Sequence, residues 1–232
     1  MEFLATIDWA VIAQIIMIDI LLGGDNAVVI ALACRNLHPN QRRKGIMWGT
    51  AGAILLRIVL VAFAVTLLQI PFLKFTGGLL LFWIGYKLMV QSEEEEGHEL
   101  EASDKLSAAI KTIIVADVAM SVDNVIAIAG AAQGAGETHQ LPLVIFGLLV
   151  SIPIIVWGSQ LVLKLMDRFP LIITLGGMLL GWIAGTMVHT DPGLVSFIPQ
   201  DKAWNYGLGI AGALLVLVIG KVLGRKQAET AV

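Results

Sequence analysis

Two stretches of this sequence place acidic side chains inside apolar runs, and both have the same spacing. Each has an aspartate, then five residues, then an Asp-Asn pair, and the six residues are Asp19, Asp25, Asn26, Asp117, Asp123 and Asn124. The second stretch lies 98 positions after the first. A charged aspartate near the centre of a membrane helix costs roughly 2.5–3.5 kcal/mol, so it persists where it pairs, binds a cation, carries protons or faces water. The alternative is that buried, protonated aspartates only hold helices together, and the duplication argues against it.

The six side chains offer only oxygen atoms as ligands, which suits a hard or intermediate divalent cation such as Mn²⁺, Ca²⁺ or Mg²⁺. The single Cys34 and the four histidines lie outside the two patterns, which argues against a zinc or copper site. The histidines fall in loops or at span ends, where solvated side chains are expected. Met17 and Met120 are close in sequence and are candidate soft ligands that would favour Mn²⁺, although methionine is also ordinary packing material.

The number of carboxylates indicates a mechanism. Four of them around one divalent ion leave a net charge of about −2, which is unfavourable at low dielectric, so one or two are expected to be protonated. Metal and protons then compete for the same oxygens, as in a metal/proton antiporter. The candidates for proton coupling or charge pairing are Asp19, Asp117 and the mid-span Arg57. Arg57 either pairs with an aspartate in the empty state or reaches a hydrated crevice, and both interpretations stay open.

The composition that must position these residues is that of a membrane protein. Hydrophobic residues make up 57% of the 232-residue chain and charged residues 14%, against about 45–50% and 25% in ordinary globular chains. The mean hydropathy is +0.85. Apolar runs of about 20 residues are long enough to cross a bilayer as helices. Seven spans are predicted: 9–34, 45–68, 71–90, 108–131, 141–165, 171–189 and 205–223.

The repeat extends beyond the acidic patterns. At a shift of 99 positions, Gly77-Gly78 corresponds to Gly176-Gly177 and Trp83-Ile84 to Trp182-Ile183. Because each copy crosses three times, the second copy enters the bilayer from the opposite side, as in many transporters. The predicted fold is all-α, with seven transmembrane helices arranged as a 3+3 inverted-topology repeat plus one helix. The first repeat covers 1–90 and an acidic linker covers 91–107. The second repeat covers 108–190, and the last region, 191–232, contains an external loop, the seventh helix and a basic tail.

Glycines and spacing refine the geometry of the first acidic pattern. Asp19 and Asn26 are two helical turns apart and share a face, with Asp25 beside it. Gly23-Gly24 predicts a loosened helix just before Asp25. The second copy has Ser121-Val122 at this place, which gives no comparable reason for a break. We expect the six side chains to face one cavity near the midplane.

Basic residues predict the orientation. With the N-terminus outside, twelve Lys and Arg residues fall in cytoplasmic segments and two in external ones, so the positive-inside rule predicts N-out and C-in. No basic face for nucleic acid is present. The acidic segment around Glu93–Glu101 is interpreted as a solvated linker, with a cation collector at the cytoplasmic mouth as the alternative.

These residues resemble a known family. The motif from Leu22 to Ala27, the motif from Ser121 to Asn124 and the acidic linker between them are similar to the TerC family of integral membrane proteins, in particular its short bacterial branch. The resemblance implies a bacterial inner-membrane protein of the wider lysine-exporter superfamily, with members implicated in Mn²⁺ efflux. It maps the family's acidic and Asp-Asn positions onto the six residues of the two patterns.

The sequence therefore predicts a transporter that exports Mn²⁺ in exchange for protons, with no prosthetic group and no enzymatic activity. The alternatives are a Ca²⁺ transporter, a membrane adaptor that supplies metal to exported proteins, and an intramembrane aspartyl protease. The duplicated Asp-Asn pattern argues against the protease. The expected partners are the transported cation, protons and the lipid bilayer, with a second copy of the chain or an exported-protein client as further alternatives.

Overall fold

The computed structural model of the chain describes residues 9–67, 70–90, 102–132 and 140–230, and every regular element in these ranges is a helix. The predicted all-α class is confirmed for them. In chain order the helices are α1 (Trp9–Leu22), α2 (Gly24–Cys34), α3 (Pro39–Ala62), α4 (Ala64–Leu67), α5 (Leu73–Val90), α6 (Ala102–Ala132), α7 (Gln140–Arg168), α8 (Leu171–His189) and α9 (Lys202–Thr230).

Several of these helices are suited to a membrane. Five are long and apolar enough to cross it, namely α3, α5, α7, α8 and α9. Helices α1 and α2 together make a sixth candidate, with a bend of 48° between them. By length and composition, five or six of the predicted spans are thus supported. The remaining predicted span, 108–131, lies within α6, and the full set of seven stays a prediction.

The bend between α1 and α2 lies at Gly23, where φ is −102° and ψ is 3°. These angles depart from those of a helix. A Cβ atom at Gly23 would clash with the carbonyl oxygen of Asp19, whereas a Cβ at Gly24 would meet no atom within 4 Å. The break predicted from the two glycines is therefore present, and Gly23 carries it. Helix α6 runs through the corresponding Ser121 without interruption.

The helices of the two predicted copies pack in reciprocal pairs. Helix α3 packs against α6, α7 packs against α1 and α2, and α5 packs against α8. At Gly49 an added Cβ would meet Ile113, and at Gly147 it would meet Ile15. A shift of 98 positions relates each residue of the first pair to a residue of the second. This reciprocity is what two copies related by a two-fold axis require. The directions of crossing and the boundaries between the copies stay predictions.

The predicted acidic linker at 91–107 is described only in part. Residues 91–101 lie outside the described ranges. Helix α6 begins at Ala102, so residues 102–107 are helical, and the predicted boundary of the linker at 107 stays a prediction.

The last helix packs against α8 and α5, and the connection before it is tied to the helix ends. Asp191 is fully buried and accepts hydrogen bonds at 2.9 Å from the backbone N–H groups of Phe72 and Phe75, at the start of α5. His189 is also buried, and its Nδ1 lies 3.1 Å from the side-chain amide of Asn205. The expectation that all histidines are solvated is wrong for His189, because it joins the end of α8 to α9.

Candidate functional site

A buried ion-pair network lies where α1, α3, α6 and α7 meet. Arg57 is 1% exposed, and its Nη1 donates a hydrogen bond to Asp19 Oδ1 at 2.6 Å. Its Nη2 donates to Asp117 Oδ1. Asp19 is 1% and Asp117 6% exposed. One guanidinium, which is always charged in proteins, therefore bridges a carboxylate from each predicted copy.

Two serines complete the network. Ser121 accepts a hydrogen bond from Arg57 Nε at 3.0 Å and donates one to Asp117 Oδ2 at 3.1 Å. Ser151 of α7 donates to Asp19 Oδ2. Both serines are fully buried, and both oxygens of each carboxylate thus accept a hydrogen bond. Neither serine is among the site residues predicted from the sequence. The spacing of Ser121, one helical turn after Asp117, could have predicted its place in the network. No comparable feature of the sequence indicates Ser151.

The network lies at the boundary between two apolar clusters. Along α7, Leu148 belongs to one cluster and Ile155 to the other, with Ser151 between them. Along α6, Met120 and Val125 belong to different clusters in the same way. The charged layer therefore has packed apolar side chains on both sides along the helices, which explains its low exposure to water.

The first Asp-Asn pair lies in the first turn of α2, directly after the break. Asp25 is half-buried, and its Oδ1 accepts a hydrogen bond at 2.8 Å from the backbone N–H of Asn26. The Asn26 side chain is buried, and its amide oxygen and nitrogen have no hydrogen-bond partner among the described residues. Burying an unsatisfied polar group costs about 1–3 kcal/mol. Such a group is well suited to contribute a neutral oxygen to a ligand.

The remaining predicted ligands are distributed unevenly. Asn124 is buried on α6, whereas the side chain of Asp123 lies outside what the structure describes. Met17 is 57% exposed on α1 and so faces away from the network. Met120 is buried within an apolar cluster. The assignment of Met17 and Met120 as soft ligands stays a prediction.

The cation bound by the two carboxylates is the Arg57 guanidinium, which is tethered because it belongs to the chain itself. Among the side chains that the structure describes, no three from Asp, Glu, His and Cys are grouped so that they could bind a metal ion. Asp19 and Asp117 come together through Arg57, and their two charges exceed that of the guanidinium by one. Of the two interpretations of Arg57, ion pairing describes this conformation.

Known proteins match this chain over most of its length. A family model described as the integral membrane protein TerC family matches residues 4–228. The membrane protein YjbE of Bacillus subtilis is 45% identical over 186 residues, which cover 80% of this chain and 82% of YjbE. YceF, a second membrane protein of Bacillus subtilis, is 26% identical and is matched over 95% of this chain and 85% of its own length. The inner membrane protein YoaE of Escherichia coli is 25% identical over 75% of this chain and 36% of YoaE. No solved structure gives a significant match.

Proposed function

We propose that this chain, which belongs to the TerC family of integral membrane proteins, exports a divalent metal cation in exchange for protons, with Mn²⁺ as the preferred substrate. The observation that carries the proposal is the buried bridge from Arg57 to Asp19 and Asp117. Two carboxylates from two copies of one unit already surround a positive charge there. The same oxygens can take a metal cation when the guanidinium moves away.

Arg57 and the substrate exclude one another. In an environment with an effective dielectric constant near 20, unit charges 4 Å apart interact with about 4 kcal/mol, so a divalent ion and a guanidinium at that distance repel by about 8 kcal/mol. Cation binding must therefore displace Arg57 from Asp19 and Asp117. When the cation leaves, Arg57 returns and neutralises one of the two negative charges on Asp19 and Asp117.

The proposed ligands supply only oxygen. Asp19 and Asp117 are freed when Arg57 moves. The amide of Asn26, which has no hydrogen-bond partner among the described residues, is already buried beside the helix break. Oxygen ligands suit Mn²⁺, Ca²⁺ and Mg²⁺, and the preference for Mn²⁺ rests on the family resemblance. The complete proposed set is Asp19, Asp25, Asn26, Asp117, Asp123 and Asn124.

Protons complete the cycle. Several carboxylates around one divalent ion carry excess negative charge unless some are protonated, so loading the metal releases protons and loading protons releases the metal. Apolar clusters pack on either side of the network along α6 and α7. Opening one cluster at a time would give alternating access.

We further propose an inner-membrane location with the N-terminus outside and the C-terminus in the cytoplasm, on the distribution of basic residues. Green fluorescent protein fused to the C-terminus should fluoresce, and alkaline phosphatase at the same position should be inactive. The opposite pair of results would reverse the orientation.

The site assignment is tested with Asp25→Asn and Asp123→Asn in a bacterium that lacks its own Mn²⁺ exporter. Both variants should lose resistance to excess Mn²⁺ while reaching the membrane at normal levels. Asp104→Asn is the matched control, because it removes the same charge from an exposed position at the start of α6 and should keep full resistance. Full resistance in both site variants would contradict the assignment.

A further inference from the structure

A cavity of about 390 Å³ lies between the first turns of α3 and the last turns of α7, remote from the ion-pair network. Three basic side chains and one carboxylate line it, and they are Arg42, Arg43, Lys164 and Asp167. Gln160 adds an uncharged polar group. The positive-inside rule predicts that this end of the molecule faces the cytoplasm.

Two of the four charged groups neutralise each other. Arg42 Nη1 lies 2.7 Å from Asp167 Oδ2. The rest of its guanidinium donates hydrogen bonds to the backbone carbonyls of Arg35 at 2.6 Å and Leu37 at 3.1 Å. Each nitrogen of the Arg42 guanidinium therefore already has a hydrogen-bond partner at the wall of the cavity.

The other two basic side chains have no ion-pair partner among the described residues. Arg43 and Lys164 are exposed, and neither forms an ion pair within the described part of the chain. Together they give the cavity a net charge of +2. Two cations on facing helices, with a polar amide beside them, favour a ligand with a phosphate or similar anionic group.

The apolar surroundings identify the kind of anion. Ile46 and Leu163, both buried, form the floor of the cavity. One turn further along each helix, toward the middle of the spans, Met47 is 52% and Leu161 44% exposed. A cationic rim above an exposed apolar surface matches an anionic phospholipid, whose charged headgroup is continuous with its acyl chains. A free inorganic anion would leave this apolar surface unused.

We propose that the cavity binds the headgroup of an anionic phospholipid. Arg43 and Lys164 hold the phosphate, Gln160 donates a hydrogen bond to the headgroup, and the acyl chains lie along Met47 and Leu161. Basic pockets between transmembrane helices on the cytoplasmic side bind such headgroups in other proteins. This site is independent of the proposed transport function, so failure of one leaves the other standing.

The test compares the double variant Arg43→Gln/Lys164→Gln with the matched control Lys111→Gln/Lys221→Gln, which removes two exposed cations from other helices. Each full-length protein, in a neutral detergent, is titrated with phosphatidylglycerol, with phosphatidylcholine and separately with inorganic phosphate, and its unfolding temperature is measured. Phosphatidylglycerol should raise that temperature in the wild type and the control, while the cavity variant should need roughly tenfold more lipid for the same rise. Phosphatidylcholine and inorganic phosphate should have little effect.

An equal response of all three proteins to phosphatidylglycerol would overturn the proposal. An equal rise with inorganic phosphate in the wild type, absent in the cavity variant, would also overturn it, because it would assign the cavity to a free anion. The charge-preserving variant Arg43→Lys/Lys164→Arg should keep the response to phosphatidylglycerol. It thereby separates a lost charge from a disturbed fold.

Discussion

A guanidinium that is 1% exposed within a membrane protein is costly to keep, and Arg57 is kept by two carboxylates and a serine. Taking an ion pair out of water is offset only when the geometry is good and the remaining hydrogen-bonding groups are satisfied. Ser121 and Ser151 provide that satisfaction for Asp117 and Asp19. The network is stable as a unit, and the loss of Arg57 would leave two buried negative charges close together.

Arg57→Gln is expected to destabilise the protein, because breaking a buried pair by removing one partner costs about 3–5 kcal/mol. Added Mn²⁺ should then raise the unfolding temperature of Arg57→Gln more than that of the wild type, since Asp19 and Asp117 no longer bind a tethered cation. Thermal unfolding of the purified proteins, with and without MnCl₂, measures both effects.

Arg57→Lys serves as the control for this prediction. It keeps the charge, although an ammonium lacks the planar fork that reaches both carboxylates, and its response to Mn²⁺ should lie between the other two. The same Mn²⁺-induced shift in wild type and Arg57→Gln would show that metal and guanidinium do not compete.

Part of this network is predictable from the sequence. Asp19, Asp117 and Arg57 are charges within apolar runs, and such charges are conspicuous. The choice between pairing and hydration of Arg57 required the structure, because the two aspartates lie on different helices far apart in the chain. Ser151 could not be found from sequence, since a single serine in an apolar helix commonly binds its own backbone.

At the scale of helices, the bend at Gly23 sets the position of the first Asp-Asn pair. It ends α1 shortly after Asp19 and starts α2 immediately before Asp25. The two carboxylates therefore belong to separate helical segments. In the proposed transport cycle, the break would act as a hinge between Asp25 and the ion-pair network.

Gly23→Ala should abolish Mn²⁺ flux and lower stability, because its Cβ would clash with the backbone carbonyl of Asp19 and the chain must shift. Gly24→Ala should keep both properties, since no atom lies within 4 Å of a Cβ there. Flux in liposomes and thermal unfolding distinguish the two variants. Equal flux and equal stability of the two variants would show that Gly23 is no more important than Gly24.

The reciprocal glycine contacts predict equal effects in the two copies. At Gly49 an added Cβ would lie 2.5 Å from Ile113 Cδ1, and at Gly147 it would lie 2.6 Å from Ile15 Cγ2. Overpacking of this kind typically costs about 1–3 kcal/mol, so Gly49→Ala and Gly147→Ala should lower the free energy of unfolding by similar amounts.

Gly158→Ala is the matched control for these two variants, because its Cβ would lie 3.6 Å from that of Ala27, an ordinary contact. Its stability should equal or slightly exceed that of the wild type, since alanine is the better helix former. Destabilisation by only one of the two reciprocal variants would count against a two-fold relation between the copies.

Across the whole molecule, hydropathy located the helices better than it located their ends. The second predicted span starts at 45, whereas α3 begins at Pro39, after His38, whose side chain accepts a hydrogen bond from the N–H of Asn40. Residues 39–44, which the predicted span omits, are mostly polar, so hydropathy does not identify them as part of a span. A proline at the first helical position was the available signal.

Only those features of the helix arrangement that follow from the internal repeat were predictable from the sequence. The equivalence of Asp19 with Asp117 indicated two copies, and the reciprocal packing agrees with it. The apolar clusters on either side of the network could not be predicted, because they combine side chains from helices that are distant in sequence. They account for the low exposure of Asp19, Arg57 and Asp117 to solvent.

Metal/proton exchange is measured as cation flux in liposomes that contain the purified full-length protein, one dye sensitive to divalent cations and another sensitive to pH. We expect Mn²⁺ to move with an opposed movement of protons, Ca²⁺ and Mg²⁺ to move more slowly, and Asp25→Asn to move none of them. No flux of any cation through correctly inserted wild-type protein would contradict the transporter account and favour the adaptor that supplies metal to exported proteins.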